Sequence, residues 1–234
     1  MLVPLTRQKF EQLIPLVATS AQYRYCWGKS SDFLRRLLIS VVGVVVILIL
    51  RIVLPDGFYA LLFSVGLLAA FYWLWGPVLW ASLRNREYRR YKYSGFFRGR
   101  VLDVFLTEEL VGKEETVSNK GDLVIVENRE RRLNLELEDE TGFTTEIQVP
   151  LRREHQAIAP NQIAEMVVLS NRADLSAIAK VTDVYIPSRK LWVSDYPFLQ
   201  RYMFVEVSRR IRDEQEPRRR SKRKPRPSSR RDRD

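Results

Sequence analysis

Two long apolar segments dominate the hydrophobic pattern of the chain. Residues 37–54 read LLISVVGVVVILILRIVL and residues 58–83 read FYALLFSVGLLAAFYWLWGPVLWASL, with only Pro55-Asp56-Gly57 between them. A hydrocarbon core roughly 30 Å thick takes about 20 helical residues to cross. Proline followed closely by glycine favours a reversal of the chain. The pattern therefore predicts two transmembrane helices that form a hairpin.

Beyond this hairpin, apolar and polar residues alternate with a period of two. Leu133, Leu135 and Leu137 alternate with polar residues, and so do the apolar residues from Phe143 to Val149 after a turn. This alternation is typical of a β-hairpin with one buried face. Further strands are predicted at 98–106, 123–126, 166–169, 181–186 and 191–193. Several short strands separated by turns predict a small mainly-β domain, an SH3-like or OB-like barrel or a sandwich.

The remaining parts of the chain flank these two units. Phe10, Leu13, Ile14 and Val17 have helical spacing, so a short N-terminal helix either lies on the bilayer or packs against the β-domain. Asp195 is expected to cap a C-terminal helix. The predicted divisions are an N-terminal interfacial or amphipathic segment at 1–32, the hairpin at 33–83 (helices at about 35–54 and 58–82), a cytoplasmic mainly-β domain at 95–212, and a disordered basic tail at 213–234.

The distribution of charge predicts the orientation of the hairpin. The net charge is +11, and Lys and Arg cluster on both flanks of the apolar segments, whereas the connecting turn carries only Asp56. Cytoplasmic flanks of membrane helices are enriched in Lys and Arg. We therefore expect an integral membrane protein of the plasma or thylakoid membrane, with both termini in the cytoplasm or stroma.

Candidate interface residues lie in and beside the apolar segments. Arg51 is expected to reach the headgroups or to face a charge of a partner, and Gly76-Pro77 is expected to kink the second helix. The deep aromatic residues exceed what an interfacial belt requires, so some are expected to face a partner helix. The candidate membrane or partner interface comprises Arg51, Tyr72, Trp73, Trp75, Trp80, Arg84, Arg86, Arg89 and Arg90.

The basic tail is a second candidate site. Without apolar residues it cannot form a core, and it could touch anionic lipid, an acidic protein or ribosomal RNA. Nucleic acid is expected as a partner only through this tail, by contacts to the phosphate backbone. The candidate residues are Arg218, Arg219, Arg220, Lys222, Arg223 and Lys224.

The sequence offers no set of residues with the pattern of a catalytic or metal site. One cysteine and one histidine, Cys26 and His155, are too few for a zinc site. His155 lies in a charged stretch and is expected at the surface, and Glu136 and Glu138 fall on the solvated face of a strand. We therefore expect no enzymatic activity, no cofactor and no small-molecule substrate.

Three stretches carry a resemblance to a known family: SSDFLRRLLISVVGVVVILIL, FYWLWGPVLWASLRNREYRRYKYSGFFRGRV and LSAIAKVTDVYIPSRKLWVSDYPFLQRYMF. They resemble an uncharacterised family of cyanobacterial two-helix membrane proteins, some of which are labelled phosphate ABC transporter permease. The resemblance covers most of the chain except the tail. It implies a thylakoid location and a role in assembling or stabilising a photosynthetic membrane complex. A transport path, by contrast, requires several helices around a polar site at the midplane.

Three functions are compatible with these features. The first is a non-enzymatic accessory protein that binds membrane lipids and assists the assembly or stabilisation of a larger membrane complex. The second is a membrane tether for ribosomes or RNA that acts through the tail. The third is a subunit of a transporter.

Overall fold

The computed structural model describes residues 1–117 and 123–223. Its helices are α1 (Arg7–Leu13), α2 (Ser20–Trp27), α3 (Ser30–Val53), α4 (Tyr59–Ala70), α5 (Tyr72–Arg89) and α6 (Arg201–Arg223), with short 3-10 turns at Asp56–Phe58 and Arg153–Ala157. Its strands are β1 (Leu2–Pro4), β2 (Tyr93–Val117), β3 (Leu123–Glu138), β4 (Thr144–Pro150), β5 (Ile163–Ser170), β6 (Lys180–Val181), β7 (Val184–Ile186) and β8 (Leu191–Val193).

The strands form one antiparallel sheet, which confirms the mainly-β domain followed by a C-terminal helix. The strand order is β4-β3-β2-β5-β7-β8, with β1 paired to β2 and β6 paired to β5. Among the described strands, β4 and β8 stand at the two ends of this order and are not paired with each other. The sheet is therefore open between these two strands, and the finer prediction of an SH3-like or OB-like barrel or a sandwich stays a prediction.

Each face of the sheet has its own hydrophobic core. Alternate residues of β5 divide between them: Met166 and Val168 face one core, and Val167 and Leu169 face the other. The first core joins residues from β2, β3, β4, β5, β7 and β8. The second is covered by helices α1 and α6. Strand β5 is therefore buried on both faces, which explains its nearly continuous apolar sequence.

Helices α1 and α6 cover the second face of the sheet. Phe10 and Leu13 of α1 and Phe204 of α6 are all buried in that core. Of the two alternatives for the N-terminal helix, the structure therefore has the one in which it packs on the β-domain. The final helix begins at Arg201 and is not capped by Asp195, which lies in the preceding loop.

One part of the sheet extends well beyond the rest. Strands β2 and β3 stay paired from Arg100 and Glu138 out to Val117 and Leu123, whereas β4 stops opposite Arg132 of β3. We call residues 107–117 and 123–131 the acidic ribbon, because glutamates outnumber basic residues there. At about 3.4 Å per residue, it projects roughly 35 Å. The predicted strands at 98–106 and 123–126 are therefore parts of two much longer strands.

The two apolar segments fold differently from each other. Helix α3 is long and apolar enough to cross a membrane by length and composition. The second segment is broken into α4 and α5, which are bent by 77° at Phe71 and pass the same test only when taken together as one broken span. The predicted kink at Gly76-Pro77 is not where the break occurs, since Pro77 lies inside α5. With 12 residues, α4 is only about 18 Å long.

Helices α3 and α4 nevertheless pack closely along their length. A Cβ atom at Gly43 would lie 3.1 Å from the Cβ of Ala69, and one at Gly66 would lie 3.3 Å from Ile47. The two glycines thus allow the helix backbones to approach each other. The start of α5 returns to α3, where the backbone N–H of Trp73 donates to Ser40 Oγ at 3.1 Å.

Two other expectations from the sequence need correction. The backbone is helical through Arg223, where a disordered tail was predicted from residue 213. His155 is buried, at 2% exposure, rather than on the surface. Its Nδ1 accepts a hydrogen bond from the backbone N–H of Arg152 at 3.2 Å. Burial lowers the pKa of the imidazole and outweighs the opposing effect of the Glu154 charge.

Candidate functional site

The most densely bonded polar region is where the apolar helices meet the β-domain. We call it the anchor junction: helix α2, helix α5 and the loop at 194–200. Its loop precedes α6, so the junction connects the helices of the apolar segments to the last helix of the β-domain. Contacts in this region decide whether the two units move independently.

A buried pair of amides forms the centre of the anchor junction. The Nε2 of Gln22 donates to Asn85 Oδ1 at 3.0 Å, and the Nδ2 of Asn85 donates back to Gln22 Oε1 at 2.9 Å. Gln22 Nε2 also donates to the carbonyl oxygen of Pro197 at 2.9 Å. Both amides are fully buried. One glutamine thus joins α2, α5 and the loop, and burial makes each of these bonds costly to leave unmade.

Arg36 fixes the end of α2 to the beginning of α3. Its guanidinium donates to the carbonyl oxygens of Cys26, at 2.8 Å, and of Trp27. These carbonyls lie in the last turn of α2, where intrahelical partners are missing. The guanidinium also lies 5.1 Å from the centre of the Trp27 ring, so Arg36 is a buried structural contact.

Arg84 of α5 is held between two aromatic rings. Its guanidinium carbon lies 5.7 Å from the ring centre of Tyr25 and 5.1 Å from that of Tyr196. Next to it, the hydroxyl of Tyr25 donates to Asp195 Oδ1 at 3.4 Å. The charge of Arg84 and the rings of Tyr25 and Tyr196 thus join α5 to α2 and to the loop.

Asp183 stabilises the loop at 194–200. Its two carboxylate oxygens accept the backbone N–H groups of Phe198, at 3.1 Å, and Leu199, at 2.9 Å. Burial raises the pKa of Asp183 to about 7, although these two hydrogen bonds oppose the shift. The Phe198 ring in turn stacks on Tyr88 of α5 with ring centres 3.7 Å apart.

A cavity of about 480 Å³ opens beside the junction, between α5 and strands β4 and β6. Arg84, Lys180 and Asp183 are among its lining residues. Lys180 is already engaged, because its Nζ lies 3.8 Å from a carboxylate oxygen of Glu87. Within residues 1–117 and 123–223, no group of three or more His, Cys, Asp or Glu side chains is placed to hold a metal ion.

The predicted aromatic residues divide into an inner and an outer group. Trp73 packs inside the protein, with ring centres 6.4 Å from Trp27 and 5.9 Å from Phe33. Trp80 is 55% exposed and donates from its indole to the hydroxyl of Tyr72 at 3.2 Å. Trp75 contacts the Tyr72 ring edge-on. Trp75 and Trp80 thus both contact Tyr72; we call these three the outer group, in which Tyr72 and Trp75 are half-buried and Trp80 is exposed to a partner or lipid.

The predicted arginines likewise differ in their surroundings. Arg89 is engaged within the protein: it donates to the carbonyl oxygen of Ile14 at 2.8 Å and pairs with Glu11 at 3.2 Å. Arg51 lies at the far end of α3, with its guanidinium carbon 4.8 Å from the Tyr59 ring centre. Arg86 is exposed on α5, and Arg90 is exposed directly after the last residue of this helix.

The predicted tail site falls mostly outside what can be described. The backbone of Arg218, Arg219, Arg220, Lys222 and Arg223 belongs to α6, and Lys224 lies outside the described residues. The proposed contacts of these residues with anionic lipid, protein or RNA stay predictions.

A family model supplies the relationship of this chain to known proteins. It matches residues 3–216 and describes a family of unknown function, DUF8619. The chain belongs to this family. Comparisons with the curated proteins and with the solved structures found no match. Membership agrees with the uncharacterised family that the sequence resembles, and it leaves the cyanobacterial origin and the transporter label as predictions.

The DUF8619 match spans the apolar helices, the junction and the sheet alike. Three residues that form the junction or hold its loop were missed from the sequence: Gln22, Asn85 and Asp183. For Gln22 a signal existed, since Thr19-Ser-Ala-Gln22 is a capping-box pattern, and the capping box is formed. Asn85 and Asp183 lie in charged or strand-like sequence with no local signal of burial.

Proposed function

We propose that the protein is a non-enzymatic integral membrane accessory protein that assists the assembly or stabilisation of a larger membrane complex. One observation carries the proposal. The apolar helices are not connected to the β-domain by a free linker but are fixed to it by the buried hydrogen bonds of Gln22 and Asn85. A domain fixed in this way presents the same surfaces to its neighbours in the membrane at all times.

The membrane hairpin of this proposal is supported by the lengths and contacts of α3, α4 and α5. Helix α3 is about 36 Å long, sufficient for a hydrocarbon core of roughly 30 Å. Helix α4 returns beside it, and the bend brings Trp73 to the level of Ser40, one turn beyond Arg36. We infer that α4 brings the chain back across most of the apolar layer and that α5 then lies along the interface.

The orientation proposed is that both chain termini face the cytoplasm or stroma. Exposed basic residues of α5 lie beside the outer aromatic group, a combination that favours the headgroup region. Arg51 and Tyr59 mark the opposite end of the hairpin. By this reasoning the β-domain lies directly on the side where α5 meets the headgroups.

A docking surface follows from the same arrangement. Tyr72, Trp75 and Trp80 are rigidly held on α5, and Trp80 is half-exposed. Rigid aromatic side chains of this kind contribute most of the binding energy in many protein interfaces. We therefore assign contact with the larger complex to this outer aromatic group.

Site-specific photo-crosslinking in native membranes tests the proposal. A photoreactive amino acid at Trp80 is expected to attach the protein to a subunit of a larger membrane complex, which should also carry the protein on native gels in mild detergent. Tyr202, an aromatic residue 77% exposed on α6, is the matched control position and should not give that product. Migration only as a small free species, with no product specific to position 80, would contradict the proposal.

The tether and transporter alternatives predict different results. A ribosome or RNA tether, suggested by the basic residues from 218 onward, requires salt-sensitive co-sedimentation with ribosomes that is lost when residues 218–234 are removed. A transporter subunit requires altered solute uptake in a deletion strain. If either result were obtained without a crosslink from position 80, the corresponding alternative would replace the accessory role as the proposed function.

A further inference from the structure

Among the described residues, no strand pairs with the outer edge of β2 over most of its length. Strand β5 pairs with β2 only as far as Arg100, and the loop at 161–162 continues this pairing to Val101. From 102 to 117, β3 is the only described strand beside β2. Such an edge presents unpaired N–H and C=O groups and can template another strand. A two-stranded ribbon is also only marginally stable by itself in water.

Exposed apolar side chains are concentrated on this edge strand. The residues are Leu102, Phe105, Leu106, Leu110 and Val111, each at least 40% exposed. On β3, by contrast, Leu133, which lies opposite Leu106, is buried, and so is Leu135. The free edge therefore offers apolar contact area in addition to main-chain groups.

The charge of the acidic ribbon is opposite to that of the protein. Its residues include six glutamates against three Lys or Arg, in a chain whose net charge is +11. The β2 side alone has four glutamates and one lysine. Natural edge strands are commonly protected by lysine. Glutamates repel acidic partners and nucleic acid, and they leave the edge open to a basic segment.

We propose that the free edge of β2 from Asp103 to Leu110, at the base of the acidic ribbon, binds an extended, Lys/Arg-rich segment of another membrane protein by strand addition. This inference rests on the proposed function, because cytoplasmic loops of membrane proteins are enriched in Lys and Arg and would lie on the same side as the β-domain. Main-chain hydrogen bonds supply affinity in this mode of recognition, and alternate side chains supply selectivity.

The irregularities of β2 define the length of the bound segment. The register with β3 shifts between Val101 and Asp103 and again between Leu110 and Gly112. The stretch from Asp103 to Leu110 is regular, and it is about 27 Å long at 3.4 Å per residue. Phe105 and Leu106 point to opposite faces within it. A partner segment of about eight residues thus fits between the two irregularities.

Peptide binding to the full chain in nanodiscs of neutral lipid tests this assignment. The probe is a fluorescent 12-residue peptide of alternating Lys and Val, and the comparison peptide alternates Glu and Val. We expect the basic peptide to bind and the acidic one not to bind. The double variant Glu108→Lys/Glu109→Lys on β2 should weaken binding about tenfold or more, as expected for loss of close charge pairs.

The matched control makes the same change of charge on the other strand. Glu127→Lys/Glu130→Lys lies on β3, away from the proposed edge, and should weaken binding by less than about threefold. Equal weakening by both variants would show diffuse electrostatic attraction and overturn the assignment, and so would equal binding of both peptides.

Photo-crosslinking from Leu106, which is 56% exposed within the stretch from Asp103 to Leu110, in native membranes identifies the natural occupant. The expected product is a Lys/Arg-rich segment of another membrane protein. A product with a second copy of this chain, with its own residues 218–233 or with lipid would overturn the proposal, as would no product. If the ribbon fails these tests while Trp80 still crosslinks to a large complex, this inference alone fails. If photo-crosslinking at position 80 gives no large complex while the ribbon binds its segment, the accessory role through α5 is refuted.

Discussion

The two ends of strand β2 are held by different forces. At its base, Phe96 and Phe97 are fully buried, one in each core, between neighbouring strands on both sides. In the acidic ribbon, the same strand has one neighbour and is held by cross-strand ion pairs such as Glu109 with Arg132 at 2.8 Å. Burial therefore stabilises the base, and the ribbon is left available for contact with other molecules.

The largest expected effect is at the base of β2. Phe97→Ala should lower the free energy of unfolding by about 3–5 kcal/mol, because a large buried ring is replaced by a cavity. Leu110→Ala, on the same strand but in the ribbon, should cost less than about 1 kcal/mol, because Leu110 is already half exposed. Chemical unfolding of both variants in detergent, followed by near-UV circular dichroism, measures the difference. Similar losses for the two would refute the contrast.

The next effect concerns the anchor junction. Gln22→Leu leaves the buried Asn85 amide and the carbonyl of Pro197 without their partner, which should cost about 1–3 kcal/mol. Limited proteolysis should then cut between the apolar helices and the β-domain faster than in the unchanged protein. Gln12→Leu, an exposed glutamine on α1, is the control and should behave normally. No change in cleavage for Gln22→Leu would mean that the amide pair does not fix the two units.

The next prediction is that the stability of the base depends on pH through one carboxyl group, whereas that of the ribbon does not. Asp139 lies at the β3–β4 turn; burial opposes its ionised form, but hydrogen bonds from Thr141 and Phe143 lower the pKa of its carboxyl to about 2, from an ordinary 3.8. Because this pKa is lower in the folded protein, its contribution to stability is present above pH 3.8 and is lost as the pH falls towards 2.

Asp139→Asn should therefore lower the melting temperature at neutral pH and flatten its fall in acid. Glu115→Gln, exposed in the ribbon, should leave the acid profile unchanged. The measurement is the melting temperature between neutral pH and pH 2 for the three proteins. Parallel profiles for all three would refute the role of Asp139.

The smallest expected effect is in the ribbon itself. Glu109→Ala removes an exposed ion pair with Arg132 and should change stability by less than about 1 kcal/mol, with a difference that shrinks at high salt. Unfolding at low and high ionic strength measures it. A loss as large as that of Phe97→Ala would mean that the ribbon is part of the structural core.

The fold could be predicted from the sequence where local pattern reports burial. The β3–β4 hairpin was found because Leu133, Leu135 and Leu137 alternate with polar residues and are all buried. The ribbon was not found, because β2 beyond Leu106 has a shift of register between Leu110 and Gly112 and no buried face to impose a period of two. The break at Phe71 was missed for a similar reason: nothing local favours it over Gly76-Pro77.

The sequence by itself determined the two apolar segments, the alternating strands and the charge asymmetry, because each depends on neighbouring residues and their preference for water or an apolar environment. Only the tertiary structure decided that Gln22 meets Asn85, that Arg89 and Trp73 face inward and that the edge of β2 stays open. These outcomes depend on which distant segments pack together. A polar residue looks the same in sequence whether it is solvated or buried beside a partner 63 positions away.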